Sequence, residues 1–129
     1  MSVQPEVLTV HCDDRGAVFE PLSAEVLPAQ RNVHVVLSEP GQVRGNHVHR
    51  RGTEVLVVQG PALVRLREEG VLRDFQVPEG QVHRFVIPPG VAHAIRHEGL
   101  AQGVLIGFNT HAHDTQAPDT HQEPILASL

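Results

Sequence analysis

Two histidines one residue apart, His47 and His49, are followed five positions later by Glu54 in the stretch GQVRGNHVHRRGTEVLVVQG, residues 41–60. On a strand, side chains at i and i+2 share a face, with backbones about 6.6–6.8 Å apart. Two imidazoles so placed can converge on one ion, and a carboxylate beyond the next turn can supply a third donor. His93, in IPPGVAHAIRH, supplies a fourth. Three imidazoles and a carboxylate suit one divalent transition metal per chain: Zn, Fe, Mn, Ni or Co. The same placement has another stable solution, a hydrogen-bonded set of histidines that shuttle protons.

Other residues gain meaning from that group. In cleanly paired strands a period of two puts Gly45 and Val43 on the face of His47 and His49, and Ile95 and His97 on the face of His93. His97 is therefore a candidate beside the pocket, and His34 a second one. Arg44, read as part of the turn before His47, is suited to gripping a carboxylate or diphosphate. His83 is read as exposed where a loop enters a strand. His113 and Asp114 become substrate contacts should the tail fold over the pocket mouth. His11, Cys12, Asp13 and Asp14 form a ligand-rich quartet that is read as a solvated turn, because adjacent ligands on a loop rarely define a site.

The elements that must position these groups are short strands. Residues 32–37, 43–49, 54–59, 62–67, 71–77, 84–87, 93–97 and 103–110 are β-branched-rich or alternate, and Gly or Pro clusters separate them. That spacing predicts an all-β antiparallel barrel or sandwich with little helix, since no segment carries a 3.6-residue stripe. Residues 1–30 read as an arm of two or three short strands, 31–110 as the barrel core and 111–129 as a polar tail whose residues 124–126 can dock. One domain, 1–129, is expected.

Composition excludes several functions. The net charge of −5 and the lack of any basic run beyond Arg50-Arg51 argue against nucleic acid as a partner. All ten basic residues are Arg, so no lysine is available for a Schiff base or a phosphate loop, and Tyr and Trp are missing altogether. The single Cys12 fits a reducing compartment. With no signal-peptide pattern and no apolar run of spanning length, the expected location is cytoplasmic, away from membranes.

These residues resemble the cupin superfamily. Its first motif, G-x5-H-x-H-x3-4-E-x6-G, is matched by Gly41, His47, His49, Glu54 and Gly60, with the last spacing one residue shorter. Its second is matched by Pro88, Gly90 and His93, with His97 where asparagine is usual. The resemblance implies a conical jelly-roll barrel (the double-stranded β-helix), a metal on His47, His49, Glu54 and His93, and a homodimer. Asn109, Asp114 and Pro118-Asp119-Thr120 are similar to the closing segment of cupins in bacterial sugar-nucleotide enzymes of capsule and surface polysaccharides, relatives of the dTDP-4-dehydrorhamnose 3,5-epimerases. Those 3,5-epimerases lack a metal and use RGxH, matched by Arg44, Gly45 and His47, with a tyrosine acid that this chain lacks.

The expected activity is epimerisation or isomerisation of a sugar or sugar nucleotide. The metal would polarise a carbonyl and stabilise an enolate while His97 or His34 carries the proton. Arg44, His113 and Asp114 would contact a sugar-like or anionic substrate. The alternatives are an Fe(II) dioxygenase and a non-catalytic cupin that only holds a ligand or metal.

Overall fold

The computed structural model describes residues 2–129. Its strands are β1 (Glu6–Val7), β2 (His11–Asp13), β3 (Gly16–Val18), β4 (Asn32–Ser38), β5 (Val43–His49), β6 (Glu54–Gln59), β7 (Ala62–Glu68), β8 (Val71–Val77), β9 (Val82–Ile87), β10 (Ala92–His97), β11 (Gly103–Asn109) and β12 (Thr120–Gln122). One sheet has the order β1-β9-β6-β11-β4 and the other β12-β5-β10-β7-β8, while β2 and β3 form a separate hairpin. From β4 to β11 the chain crosses between the sheets at every connection but the β7–β8 hairpin, which makes a jelly roll. Among the described residues, helix is confined to one 3-10 turn, Leu27–Ala29. No helix among the described residues is long and apolar enough to cross a membrane.

Alternation decides what is inside. On β6, Leu56 and Val58 point between the sheets with Glu54, and they meet Val64, Leu66, Phe85, Ile87, Ile95 and Leu105 in one core cluster. The opposite parity, Val55 and Val57, is covered by Leu8, Val10, Phe19 and Leu22 of the N-terminal arm. Outside the second sheet, Leu63 and Ala94 are covered by Ile125 and Leu126 of the tail. Each sheet thus buries both faces over part of its width. Branched and aromatic side chains here remove apolar area from water at roughly 25 cal/mol per Å².

A bulge in β5 sets the geometry of the site. His47 pairs with His93, but Ala94 pairs with Gly45, so Asn46 is an extra residue on β5. Gly45 and Asn46 have φ of 90° and 57°. A Cβ on Gly45 would stand 2.7 Å from the His93 carbonyl oxygen, so the strands approach this closely only over glycine. The extra residue reverses the parity of β5. Arg44, not Gly45, falls opposite Ile95, and Val43 falls opposite Arg96. Val43 and Gly45 therefore do not share the face of His47 and His49, against the expectation from unbroken alternation. Val43 packs outward on Leu63 and Ala94. Asn46 also fastens the tail: its Oδ1 accepts from the Ile125 and Leu126 N–H groups at 2.8 and 3.1 Å, and its Nδ2 donates to the Leu126 carbonyl at 3.0 Å.

Other expectations need correction. Arg44 lies within β5 rather than in the turn before it, and it is exposed. His83 is buried, not exposed, because His83, Phe85 and Ile87 alternate inward on β9; its Nε2–H donates to Gln81 Oε1 at 2.8 Å. His11 to Asp13 are a strand paired to Gly16–Val18, so only the end of the quartet is a turn. The tail contributes β12, paired to β5 at His47–His49. Three residues are too few to show a period in sequence.

Candidate metal centre

The β5–β6 connection crosses from one sheet to the other within Arg50–Thr53, so His49 at the end of β5 faces Glu54 at the start of β6. The β5–β10 register sets His93 directly opposite His47, with ring centroids 4.7 Å apart. Glu54 and His93 are 3% and 1% exposed. One donor atom from each of His47, His49, Glu54 and His93 lies within 4.8 Å of the others. Donors on one cation at about 2.0–2.2 Å stand at most about 4.4 Å apart. The donors would have to draw closer on a cation, by more for a tetrahedral ion than for opposite donors of an octahedral one.

The donor chemistry of the four residues fits a cation. His93 Nδ1 is 3.1 Å from the Val91 carbonyl. A carbonyl only accepts, so Nδ1 carries a hydrogen, and Nε2 is the nitrogen turned toward Glu54. That nitrogen is 2.7 Å from Glu54 Oε2. Positive charge must lie between two such atoms, either a proton on the ring or a cation. His49 Nε2 is also 3.0 Å from Glu54 Oε2 and donates to it. Burial pushes the Glu54 carboxyl up, but His49 and His93 beside it outweigh burial and hold it well below the usual carboxylate range. Burial, reinforced by His93, pushes the His47 imidazole down to about 4, against a weaker pull from Glu54. The group thus offers three imidazoles and one carboxylate as ligands.

A small cleft of about 100 Å³ opens over Glu54's neighbours, between β4 and the folded-back tail. His34, His49, Asn109, His113, Asp114 and Asp119 are among its walls. His34 Nε2 is 3.9 Å from Glu54 Oε1, and its ring fits only because residue 107 is glycine, where a Cβ would meet the ring at 2.5 Å. The structure therefore brings His34, His113 and Asp114 to the cleft. Arg44 is not among the cleft's walls. His97 is at the far end of the barrel, four positions along β10 from His93, about 13 Å at strand spacing. Its Nε2–H donates to the Ala101 carbonyl at 2.6 Å and its ring lies against Gly99 and Gly103. There it closes the barrel and cannot reach the cluster.

Asp119 is a site residue that spacing did not assign. Its Oδ1 accepts from Arg51 N–H and its Oδ2 from Gly52 N–H, both at 2.9 Å, and Oδ2 is 3.7 Å from His49 Nδ1. Burial pushes its carboxyl up, but the two backbone donors outweigh that and hold it below the ordinary value. The only signal was the Pro118-Asp119-Thr120 ending.

A jelly-roll barrel with this imidazole–carboxylate cluster inside one end is a cupin. Residues 11–121 match the polysaccharide biosynthesis C-terminal domain family, and the chain belongs to it. No curated relative matches the sequence. Among solved structures, the capsular polysaccharide assembling protein CapF from Staphylococcus aureus is 28% identical with a TM-score of 0.68, over 92% of this chain and 34% of that one. This chain thus spans about a third of CapF. The RmlC epimerase of Mycobacterium tuberculosis shares the fold at 18% identity and a TM-score of 0.71, over 93% of this chain and 68% of that one. ChmJ, a 3'-monoepimerase from Streptomyces bikiniensis, shares it at 16% identity and a TM-score of 0.74, over 97% and 79%.

Proposed function

We propose that this chain is a metal-dependent cupin that epimerises or isomerises a sugar or sugar nucleotide in polysaccharide-precursor metabolism. The observation that carries the reading is the unligated imidazole of His34 at 3.9 Å from Glu54, in the cleft over a cluster built for a cation. The family and the names of CapF, RmlC and ChmJ support the substrate class.

His47, His49, Glu54 and His93 would hold the ion. A divalent cation there supplies Lewis acidity toward a substrate carbonyl oxygen. His34 takes the proton from the carbon next to that carbonyl and returns it, a task for which an imidazole is suited near neutral pH. His113 and Asp114 on the tail contact the sugar hydroxyls. Arg44, exposed on β5, is left to hold an anionic extension of the substrate. The chain has no tyrosine to serve as an acid, which puts the proton traffic on histidine.

A homodimer and a cytoplasmic setting belong to this reading. On β4, Val33, Val35 and Leu37 are 57%, 61% and 53% exposed, and among the described residues β4 is a sheet edge paired only to β11. An uncovered apolar edge of this kind suits antiparallel pairing with a second copy. The exposed Cys12 fits a reducing compartment.

The test is incubation of the zinc-loaded protein with a 4-keto sugar nucleotide in D₂O. Deuterium should appear at the carbon next to the keto group, and H34Q should remove it while keeping the metal. Tight sugar binding with no exchange would replace the enzyme by a non-catalytic binding cupin.

A further inference from the structure

The two ring nitrogens of His49 have different partners, and their arrangement changes when Nε2 is needed for a cation. Nε2–H donates to Glu54 Oε2 at 3.0 Å, so Nδ1 is the bare nitrogen, and Asn109 Nδ2 approaches it at 3.5 Å. A cation at Nε2 requires that nitrogen's lone pair. The Nε2 proton then leaves to solvent and a proton from solvent binds Nδ1, so the ring stays neutral. The new Nδ1–H needs an acceptor.

Asn109 is not free to be that acceptor. Its Oδ1 already accepts the His111 N–H at 2.8 Å, and turning the amide over would break that bond. Asp119 Oδ2 is the other oxygen in range, 3.7 Å from Nδ1, with both side chains only 10% exposed. Its carboxylate is already aimed by the Arg51 and Gly52 N–H groups. A shift of less than 1 Å gives a charge-assisted hydrogen bond of ordinary length.

We propose that Asp119 is a positioning residue for the metal centre: it accepts the His49 Nδ1–H, selects the Nδ1-protonated tautomer and so presents Nε2 to the cation. This rests on the metal reading above. It also makes residues 118–122 part of the metal centre's support, because the tail carries the acceptor and β12 pairs with the strand bearing His47 and His49. Partners of ligating histidines typically change metal affinity 10–100-fold when removed.

Two measurements test it. Zinc affinity of the wild type, D119N and D119A, by competition with a chromophoric chelator, should fall 10–100-fold in both variants. Long-range ¹H–¹⁵N spectra of histidine-labelled protein should show the His49 proton on Nε2 without zinc and on Nδ1 with it. Asp119 could instead merely brace the loop at Arg51 and Gly52. Its loss would then lower the melting temperature without moving zinc affinity, and affinity within twofold of wild type in D119N overturns the proposal. If the variants do not fold, the wild-type spectra decide, since a bare Nδ1 in the zinc-loaded protein also overturns it. Should the wild type take up no metal at all, the metal reading falls and Asp119 with it. Equal binding by wild type and D119N removes only the role of Asp119.

Discussion

His93 Nε2 and Glu54 Oε2 are 2.7 Å apart inside the barrel. A cation held by these residues binds the folded chain and not the unfolded one, and the centre should therefore stabilise the fold when it is filled. Zinc at 100 times its dissociation constant should add about 2.7 kcal/mol to the unfolding free energy. A chelator should reverse the rise in melting temperature. His49→Ala should lower zinc affinity by more than about 100-fold, beyond the loss typical of a supporting group, while the barrel stays folded by circular dichroism. Unchanged metal content in that variant would end the ligand assignment.

The metal-free protein should lose stability between about pH 6.5 and pH 4. Burial lowers the folded-state value of His47 to about 4, so the unfolded chain binds the proton first as the pH falls. Stability is then full above the unfolded value and declines below it. His83, also lowered by burial, acts in the same direction. Glu54, whose carboxyl is also held low, acts in the same direction at lower pH. Its stabilisation is present above the ordinary carboxylate value and is lost only at still lower pH. Thermal melts from pH 7.5 to 4.5 should therefore fall less steeply for His47→Gln than for the wild type. Parallel curves would show that His47 is not the group responsible.

Gly45→Ala should destabilise by about 1–3 kcal/mol in urea unfolding. Its φ of 90° and the 2.7 Å approach of a Cβ to the His93 carbonyl allow no other residue without strain. Because the same bulge aligns His47 with His93, zinc affinity should fall as well. Loss of affinity without loss of stability would place the bulge's importance in the site alone.

Val35→Glu should convert a dimer to a monomer in light scattering behind size exclusion. Val35 is the centre of the uncovered β4 stripe and contributes little to either core. A monomeric wild type would remove the β4 interface from consideration.

Much of this architecture was readable from residue order. The strand limits of β4 to β11 differ from the sequence reading by at most two residues, because Gly and Pro clusters mark the turns and each run alternates. His47, His49, Glu54 and His93 could be grouped in advance since each pair obeys a local rule, either a period of two or a short crossing between sheets. The face of Arg44 was not legible. One inserted residue reverses parity, and only the Gly45-Asn46 pair, the types most tolerant of positive φ, hinted at it. His97 misled for a related reason, since sharing a face with His93 says nothing of the distance along the strand. Asp119 was out of reach because its contacts are to residues such as Arg51, 68 positions away, which no spacing rule connects.

The order in which the chain is made has a consequence for the centre. Its four donor residues all lie before residue 94, whereas Asp119, β12 and the Asn46-bound residues Ile125 and Leu126 follow them. As the ribosome releases the chain from its N-terminus onward, the ligand set can come together while the wall of the cleft is still missing. An ion arriving then meets an open bowl instead of a narrow mouth. Docking of residues 118–126 afterwards raises the barrier to its escape, so an ion should load faster during synthesis than into the folded protein.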